Sequence, residues 1–160
     1  SGHADVSLVF DGKTASVLGK SHDQWTQIAA PGNVDQLVEA LRAGHGVAMP
    51  GADLLVSNPY EVLVAGVEEA KYMGRGVIDG TVCDHLAFRN FDTDWQLWVE
   101  AGERPFPRKM VITTRDVANA PQFSVVVTKW NLKPTFTAQT FSFSPPSDAK
   151  KVDFVPLAKR

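Results

Sequence analysis

The stretch GTVCDHLAFRNFDTDWQLWVEAG, residues 80–102, holds a cysteine, a histidine, three aspartates and two tryptophans. Cys83, Asp84 and His85 are the residue types that make a thiol nucleophile, its base and an orienting carboxylate. The same types also ligate metals. Either chemistry needs side chains that converge, so the secondary structure beneath them decides the matter. Read as a strand, Thr81–Asn90 places Val82, Asp84, Leu86 and Phe88 on one face and Cys83, His85, Ala87 and Arg89 on the other. Asp84 then points away from the other two. Cys83 and His85 share a face about 6 to 7 Å apart, beyond a direct thiol–imidazole hydrogen bond. No oxyanion site can be read nearby, and a small hydrophobe on a packed face is the commoner role for such a cysteine. The chain thus offers no catalytic constellation.

Metal and phosphate chemistry find little support. His3, His22, His45 and His85 are widely spread, with no His-x-His, His-x3-His or Cys-x2-Cys spacing. The run DTDW at Asp92–Trp95 lacks the glycine and distal glutamate of a calcium-binding loop. No phosphate-binding glycine loop, dinucleotide fingerprint or nucleophile elbow occurs. MGRGVIDG is rich in glycine but belongs to a hairpin and opens no helix. The expectation is of no cofactor and no metal.

The elements that must position these residues follow from spacing. DVSLVF and TASVLG flank Asp11-Gly12, the preferred centre of a type I′ hairpin turn, and a third strand runs over Gln24–Ile28. Val34, Leu37, Val38 and Leu41 form one apolar helical stripe. Asn33 and Gln36 make a capping box at its start, and Gly44 is the expected stop. NPYEVLVAG repeats that grammar, with Asn58 as cap, Pro59 in the first turn and Gly66 as exit. MPGADLLVS adds a turn or two between them.

Strands then follow at Lys71–Ile78, Thr81–Asn90, Thr93–Glu100, Lys109–Arg115, Gln122–Leu132 and Thr140–Ser144, with AKKVDF as a last edge strand. Asp79-Gly80 joins the first two by the same I′ chemistry. The order predicts a single α+β domain over residues 1–160: a curved antiparallel sheet with short helices packed on or plugging one side. Several strands are apolar on both faces. Trp95, Leu97 and Val99 oppose Asp94, Gln96 and Trp98; Phe123, Val125 and Val127 oppose Val126, Thr128 and Trp130. Such strands need cover on each side: helices, a ligand cavity or a second copy.

Composition narrows the partners. A chain of 160 residues with 44% hydrophobic and 21% charged residues builds a folded core rather than a disordered segment. Its net charge of −2, with basic residues scattered and the densest groups short (Arg104 to Lys109, Lys150-Lys151), argues against nucleic acid. One cysteine excludes an intramolecular disulfide. No run approaches the roughly 18 apolar residues of a membrane helix, so no integral membrane segment is expected.

The segments LVFDGKT, APGNVDQLVEAL, ADLLVSNPYEVL, AKYMGRGVIDGTVCDHLAFRNFDTDWQLWVEAGERPFPRKMVITT and FSFSPPSDAKKVDF together resemble a bacterial family of predicted periplasmic proteins, a domain of unknown function. The resemblance runs from about Asp5 to Phe154. Its most specific stretch is Val82 to Arg89 followed by Asp94 to Trp98. It implies a periplasmic location and a fold similar to the outer-membrane lipoprotein carriers and receptors, an incomplete β-barrel around an apolar cavity.

The function so implied is a non-enzymatic binding protein for a lipid or acylated protein, held on the concave face of a rolled sheet. Candidate lining residues are Trp25, Phe88, Trp95, Leu97, Trp98, Met110, Ile112, Phe123 and Trp130. The alternatives are a protein-interaction or envelope-stress sensing module with no small ligand, and an enzyme using Cys83 and His85. The resemblance also implies a signal peptide, a helix and further strands before the FDGKT hairpin. A chain without them is expected to expose a strand edge near Asp5–Phe10 and to form a homodimer or strand-swapped dimer there.

Overall fold

The computed structural model describes residues 5–47, 49–137 and 139–154. In chain order the elements are β1 (Val6–Phe10), β2 (Thr14–Gly19), β3 (Gln24–Ala29), α1 (Val34–Glu39), α2 (Pro59–Val64), β4 (Glu69–Ile78), β5 (Thr81–Arg89), β6 (Thr93–Glu100), β7 (Pro107–Thr114), β8 (Gln122–Val126) and β9 (Lys150–Lys151). A π-helical turn, Ala40–Gly44, follows α1, and a 3₁₀ turn, Ala52–Leu54, precedes α2. The elements fall into two compact units, Ser1–Met49 with Lys133–Arg160, and Pro50–Leu132.

The first unit is built on the sheet β1-β2-β3-β9, antiparallel except for the short parallel pairing of β9 with β3. Ala15, Ile28, Ala30, Leu37 and Leu41 are buried together, with Phe10, Val47, Met49 and Phe154 against them. Helix α1 begins as its sequence predicts. The Gln36 amide donates to Asn33 Oδ1 at 3.0 Å, and the Asn33 amide donates to Gln36 Oε1 at 2.9 Å, so two orphan donors are satisfied reciprocally. The stripe Leu37, Val38 and Leu41 is buried, whereas Val34 at its start is exposed.

The second unit is a five-stranded antiparallel meander, β4-β5-β6-β7-β8. Its first turn is the expected one: Asp79 and Gly80 both have positive φ, 45° and 77°, and Ile78 pairs with Thr81. Helix α2 starts at Asn58, whose side chain accepts from the Glu61 amide, with Pro59 in the first turn and Gly66 at φ 73° as its exit.

The structure corrects the sequence reading at several points. Among the described residues the strands form two sheets and no closed barrel, where one curved sheet was expected. In the first sheet the free side of β3 is taken by Lys150–Lys151, and in the second β4 pairs on one side with β5 alone. No ladder therefore joins the two among the described residues.

The first hairpin is not type I′, because only Gly12 (φ 86°) is left-handed. Asp11 occupies the corner instead, where its carboxylate accepts from the Lys13 and Thr14 amides at 2.8 and 2.7 Å. Those two amides hold the Asp11 carboxyl below its ordinary pKa. Helix α1 and its π turn do end at Gly44, the expected stop, but Gly44 is not left-handed; the left-handed residue is Gly46, at φ 63°.

The last long strand stops at Val126, short of Leu132. Its partner β7 begins at Pro107, which has no amide to donate, so the ladder has nowhere to extend. The stretch 140–144 is not a strand. Thr140 Oγ1 accepts from the Thr137 amide at 2.8 Å, and the Thr140 and Ser142 amides turn back to Thr137 and Gln139. The expected edge strand in AKKVDF does form, as β9. Strand β1 ends its sheet, with Val6 and Leu8 exposed. No described helix is long and apolar enough to cross a membrane.

Candidate functional site

Cross-strand partners share a sheet face, so the register of the second unit sorts its candidate residues. One row runs Phe88, Trp95, Ile112, Phe123, and the next runs Leu86, Leu97, Met110, Val125. These are neighbouring rows on one face. Trp95, Leu97 and Met110 are buried at its centre, with Phe88 and Ile112 beside them, so five of the nine sequence candidates converge. The Phe88 and Trp95 rings stack with centroids 3.9 Å apart and planes 14° off parallel. Phe123 lies at the margin, 41% exposed.

The cover over this face is slight. Leu54, Leu63 and Val67 pack on the buried cluster. Gly51 leads into the 3₁₀ turn in a left-handed conformation, φ 80°, and a Cβ there would meet Val125 Cγ2 at 3.2 Å. Glycine is required on both counts, for its positive φ and for the close approach of backbone to sheet. Helix α2 has no buried residue, and Leu55, Tyr60, Val62 and Val64 are exposed. Asn90 fastens its end: Asn90 Nδ2 donates to the Ala65 carbonyl at 3.2 Å, and Asn90 Oδ1 accepts from Trp95 Nε1 at 2.8 Å. Sequence reasoning missed these covering residues as part of the site. Leu54 and Leu63 are apolar residues of two short helical segments, but nothing in their spacing says which sheet face such a segment covers.

Farther along this face stands Asp84. Tyr72 pairs with Leu86 and Arg75 with Asp84, so Met73 is an extra residue, a β-bulge. The bulge brings Tyr72 and Arg75, three apart in sequence, to one face. Tyr72 Oη donates to Asp84 Oδ1 at 2.9 Å and Arg75 Nε to the same oxygen at 3.2 Å. The tyrosine hydroxyl first, then the guanidinium, lower the Asp84 pKa below its ordinary 3.8. Asp84 is therefore a paired carboxylate and not a general base.

The opposite face carries the rest of the polar run. Trp98 stacks on His85 with centroids 4.0 Å apart, and Lys109 Nζ lies 5.0 Å from the indole centroid. His85 Nε2 is 2.9 Å from Gln96 Oε1. An open groove of about 620 Å³ passes over Ala87 between Lys71, Met73, Arg89, Asp94 and Gln96. Its carboxylates and guanidiniums are paired: Arg89 Nε to Asp94 at 2.9 Å, Arg115 Nε to Asp94 at 3.8 Å, Arg89 to Glu69 at 3.9 Å.

Cys83 is fully buried on this side, its sulfur 3.5 Å from the Thr81 carbonyl, and burial pushes its thiol pKa up. A buried thiol with a raised pKa presents little thiolate to attack anything. We expect Cys83 to resist a neutral-pH thiol reagent in the folded protein and to react fully once denaturant unfolds it. Rapid labelling of the native chain would show that the site opens. No group of three or more His, Cys, Asp or Glu side chains able to hold a metal occurs among the described residues.

Three candidates lie elsewhere. Trp98 is on the opposite face of the sheet from Trp95 and Leu97, as alternation predicts. Trp25 belongs to the other unit, on β3, tilted against Phe143 at 5.5 Å with Lys151 Nζ 5.1 Å from its ring. Trp130 follows β8 and donates from Nε1 to the Pro107 carbonyl at 3.0 Å.

A family model described as "Predicted periplasmic protein (DUF2092)" matches residues 1–155. No curated protein matches the chain.

Proposed function

The chain belongs to this family of predicted periplasmic proteins, and from that premise we propose a binding module for an apolar or acylated ligand, a lipid or the acyl part of a lipoprotein. The ligand lies on the apolar face of the β4–β8 sheet, with helix α2 displaced or straddling it. The likeness to lipoprotein carriers belongs to this reading, since such carriers hold acyl chains between a sheet and short helices. No catalytic residue is required of a protein that binds by burying area.

The thinness of the cover carries the proposal. A face lined by Phe88, Trp95, Leu97, Met110 and Ile112 is closed by few side chains, from segments that otherwise lie exposed. Lifting Leu54, Leu63 and Val67 off the sheet costs about 5–9 kcal/mol at roughly 1.5–3 kcal/mol per side chain. A bound methylene returns about 0.8 kcal/mol, so a chain of about 14 methylenes exceeds even the upper figure, whereas one of about six reaches only the lower.

The test is a titration with palmitate, brominated palmitate and octanoate, followed by tryptophan emission, beside native mass spectrometry of protein taken gently from the periplasm. Saturable quenching by brominated palmitate, little response to octanoate and a co-purified lipid mass are expected. A clean apo mass with no quenching by the long chain would overturn the reading.

The competing reading is a protein-docking module, which has its own observation: among the described residues strand β1 is free on one side, with Val6 and Leu8 exposed. A second copy, or a partner such as an envelope-stress regulator, would add a strand there. Crosslinking in the periplasm would then trap one dominant protein, and lipid would be absent.

A further inference from the structure

We propose that the second unit carries a separate site for a phosphate group, in the pocket of about 300 Å³ lined by Glu100, Arg104, Phe106, Arg108, Lys129 and Trp130. The proposal does not rest on the apolar face and concerns a different ligand chemistry. Two stretches remote in sequence make the pocket, the β6–β7 connection and the segment leaving β8. Two bonds hold them together: the Val127 amide donates to the Arg108 carbonyl at 2.8 Å, and Trp130 Nε1 to the Pro107 carbonyl at 3.0 Å. Within the connection itself the Phe106 amide donates to the Arg104 carbonyl at 2.8 Å. Phe106 and Trp130 stack with centroids 5.4 Å apart, giving the pocket a rigid aromatic wall.

The charge of the pocket runs against that of the chain. Three cations face one carboxylate here, while the whole chain carries a net −2. Arg108 spends Nε and one terminal nitrogen on a single oxygen of Glu100, at 3.0 and 2.9 Å, which fixes its guanidinium and leaves other N–H groups. Arg104 and Lys129 have no side-chain partner among the described residues. Two unpaired cations at the rim of a concavity raise the local potential there and draw an anion toward it. A guanidinium fork with an ammonium beside it suits a tetrahedral oxyanion, which accepts several charge-assisted hydrogen bonds at once. The aromatic wall and Leu132 leave room for a small organic body, as in a phosphate ester.

The phosphate can come from a soluble ester or from a phospholipid headgroup, and the experiment separates these sources. Uniformly ¹⁵N-labelled protein is titrated with inorganic phosphate, glycerol 3-phosphate and short-chain dihexanoyl phosphatidylglycerol below its micelle concentration. Saturable amide shifts confined to residues 100–108 and 127–132 are expected, with affinity falling as sodium chloride is raised. Response to inorganic phosphate or glycerol 3-phosphate identifies a soluble source; response to the phospholipid alone identifies a headgroup.

The double variant Arg104→Ala with Lys129→Ala should bind about tenfold more weakly, because two charge-assisted contacts are gone. Both side chains are on exposed residues, so the rest of its spectrum should stay in place. No saturable shift with any of the three ligands, or equal affinity in the double variant, would overturn the site.

Discussion

Replacing Trp95 with alanine is expected to cost about 3–5 kcal/mol, the largest loss available from one substitution in the β4–β8 sheet. Trp95 is only 6% exposed and sits between Phe88 on one neighbouring strand and Ile112 on the other. Truncation removes the stacked partner of Phe88 and leaves a cavity in a face whose cover is too short to collapse into it. It also removes the donor to Asn90 Oδ1, while Asn90 still has to hold the Ala65 carbonyl. Trp95→Phe separates the two contributions, since a ring remains but the donor does not. A loss of about 1–2 kcal/mol is expected there, the cost of an acceptor left without its partner. Amide hydrogen exchange along β5, β6 and β7 reads this sheet by itself and avoids treating a chain of two units as one transition. A loss below about 1 kcal/mol for Trp95→Ala would mean that the cluster is not what stabilises the sheet.

The degree to which this arrangement is legible in sequence depends on the range of the interaction. Alternation alone separates Asp84 from Cys83 and His85, and it places Trp98 opposite Trp95, because a period of two is a property of the strand itself. The reciprocal Asn33–Gln36 cap and the left-handed Asp79-Gly80 turn are equally local. What actually holds Asp84 is not local. Tyr72 and Arg75 reach it only because Met73 bulges; Gly74, at φ 100°, is the local sign of an irregular strand in AKYMGRG, but it does not say which side chains the bulge brings together.

The apolar candidates follow the same division. Two-faced strands correctly demand cover, yet the identity of the cover (Leu54, Leu63 and Val67) depends on how connecting segments fall back on the sheet. The limits of the strands fail for a related reason. Val127–Leu132 reads as strand by composition, but Pro107 removes the donor it would pair with, and that proline is remote in sequence. Arg104 and Lys129 are likewise brought into one pocket by the meander and not by any motif.

The buried cluster of the first unit is made of alanines and aliphatic side chains with no buried aromatic ring, so each leucine of the helical stripe has a large effect. Leu41 is 2% exposed and lies with Leu37 against Ala15, Ile28 and Ala30, small or single apolar residues that cannot expand to replace it. Leu41→Ala should cost about 2–5 kcal/mol, toward the upper part of that range if the site cannot relax. Relaxation is restricted, because Leu41 sits in the π-helical turn and its carbonyl accepts from the Val47 amide at 2.9 Å. The neighbouring Gly44 provides a control. It lies in the same turn without a positive φ, and a Cβ there would meet nothing within 4 Å. Gly44→Ala is therefore expected to be neutral or to stabilise by about 0.4–1 kcal/mol, through the unfolded chain. Gly46→Ala, at φ 63°, should destabilise, since it forces a side chain into the left-handed region. Hydrogen exchange of α1 and of β1 to β3 distinguishes the three. If Gly44→Ala destabilised as much as Gly46→Ala, Gly44 would have to be a left-handed residue as well, and Leu41 would not be held in the π-helical turn that fixes it against the sheet.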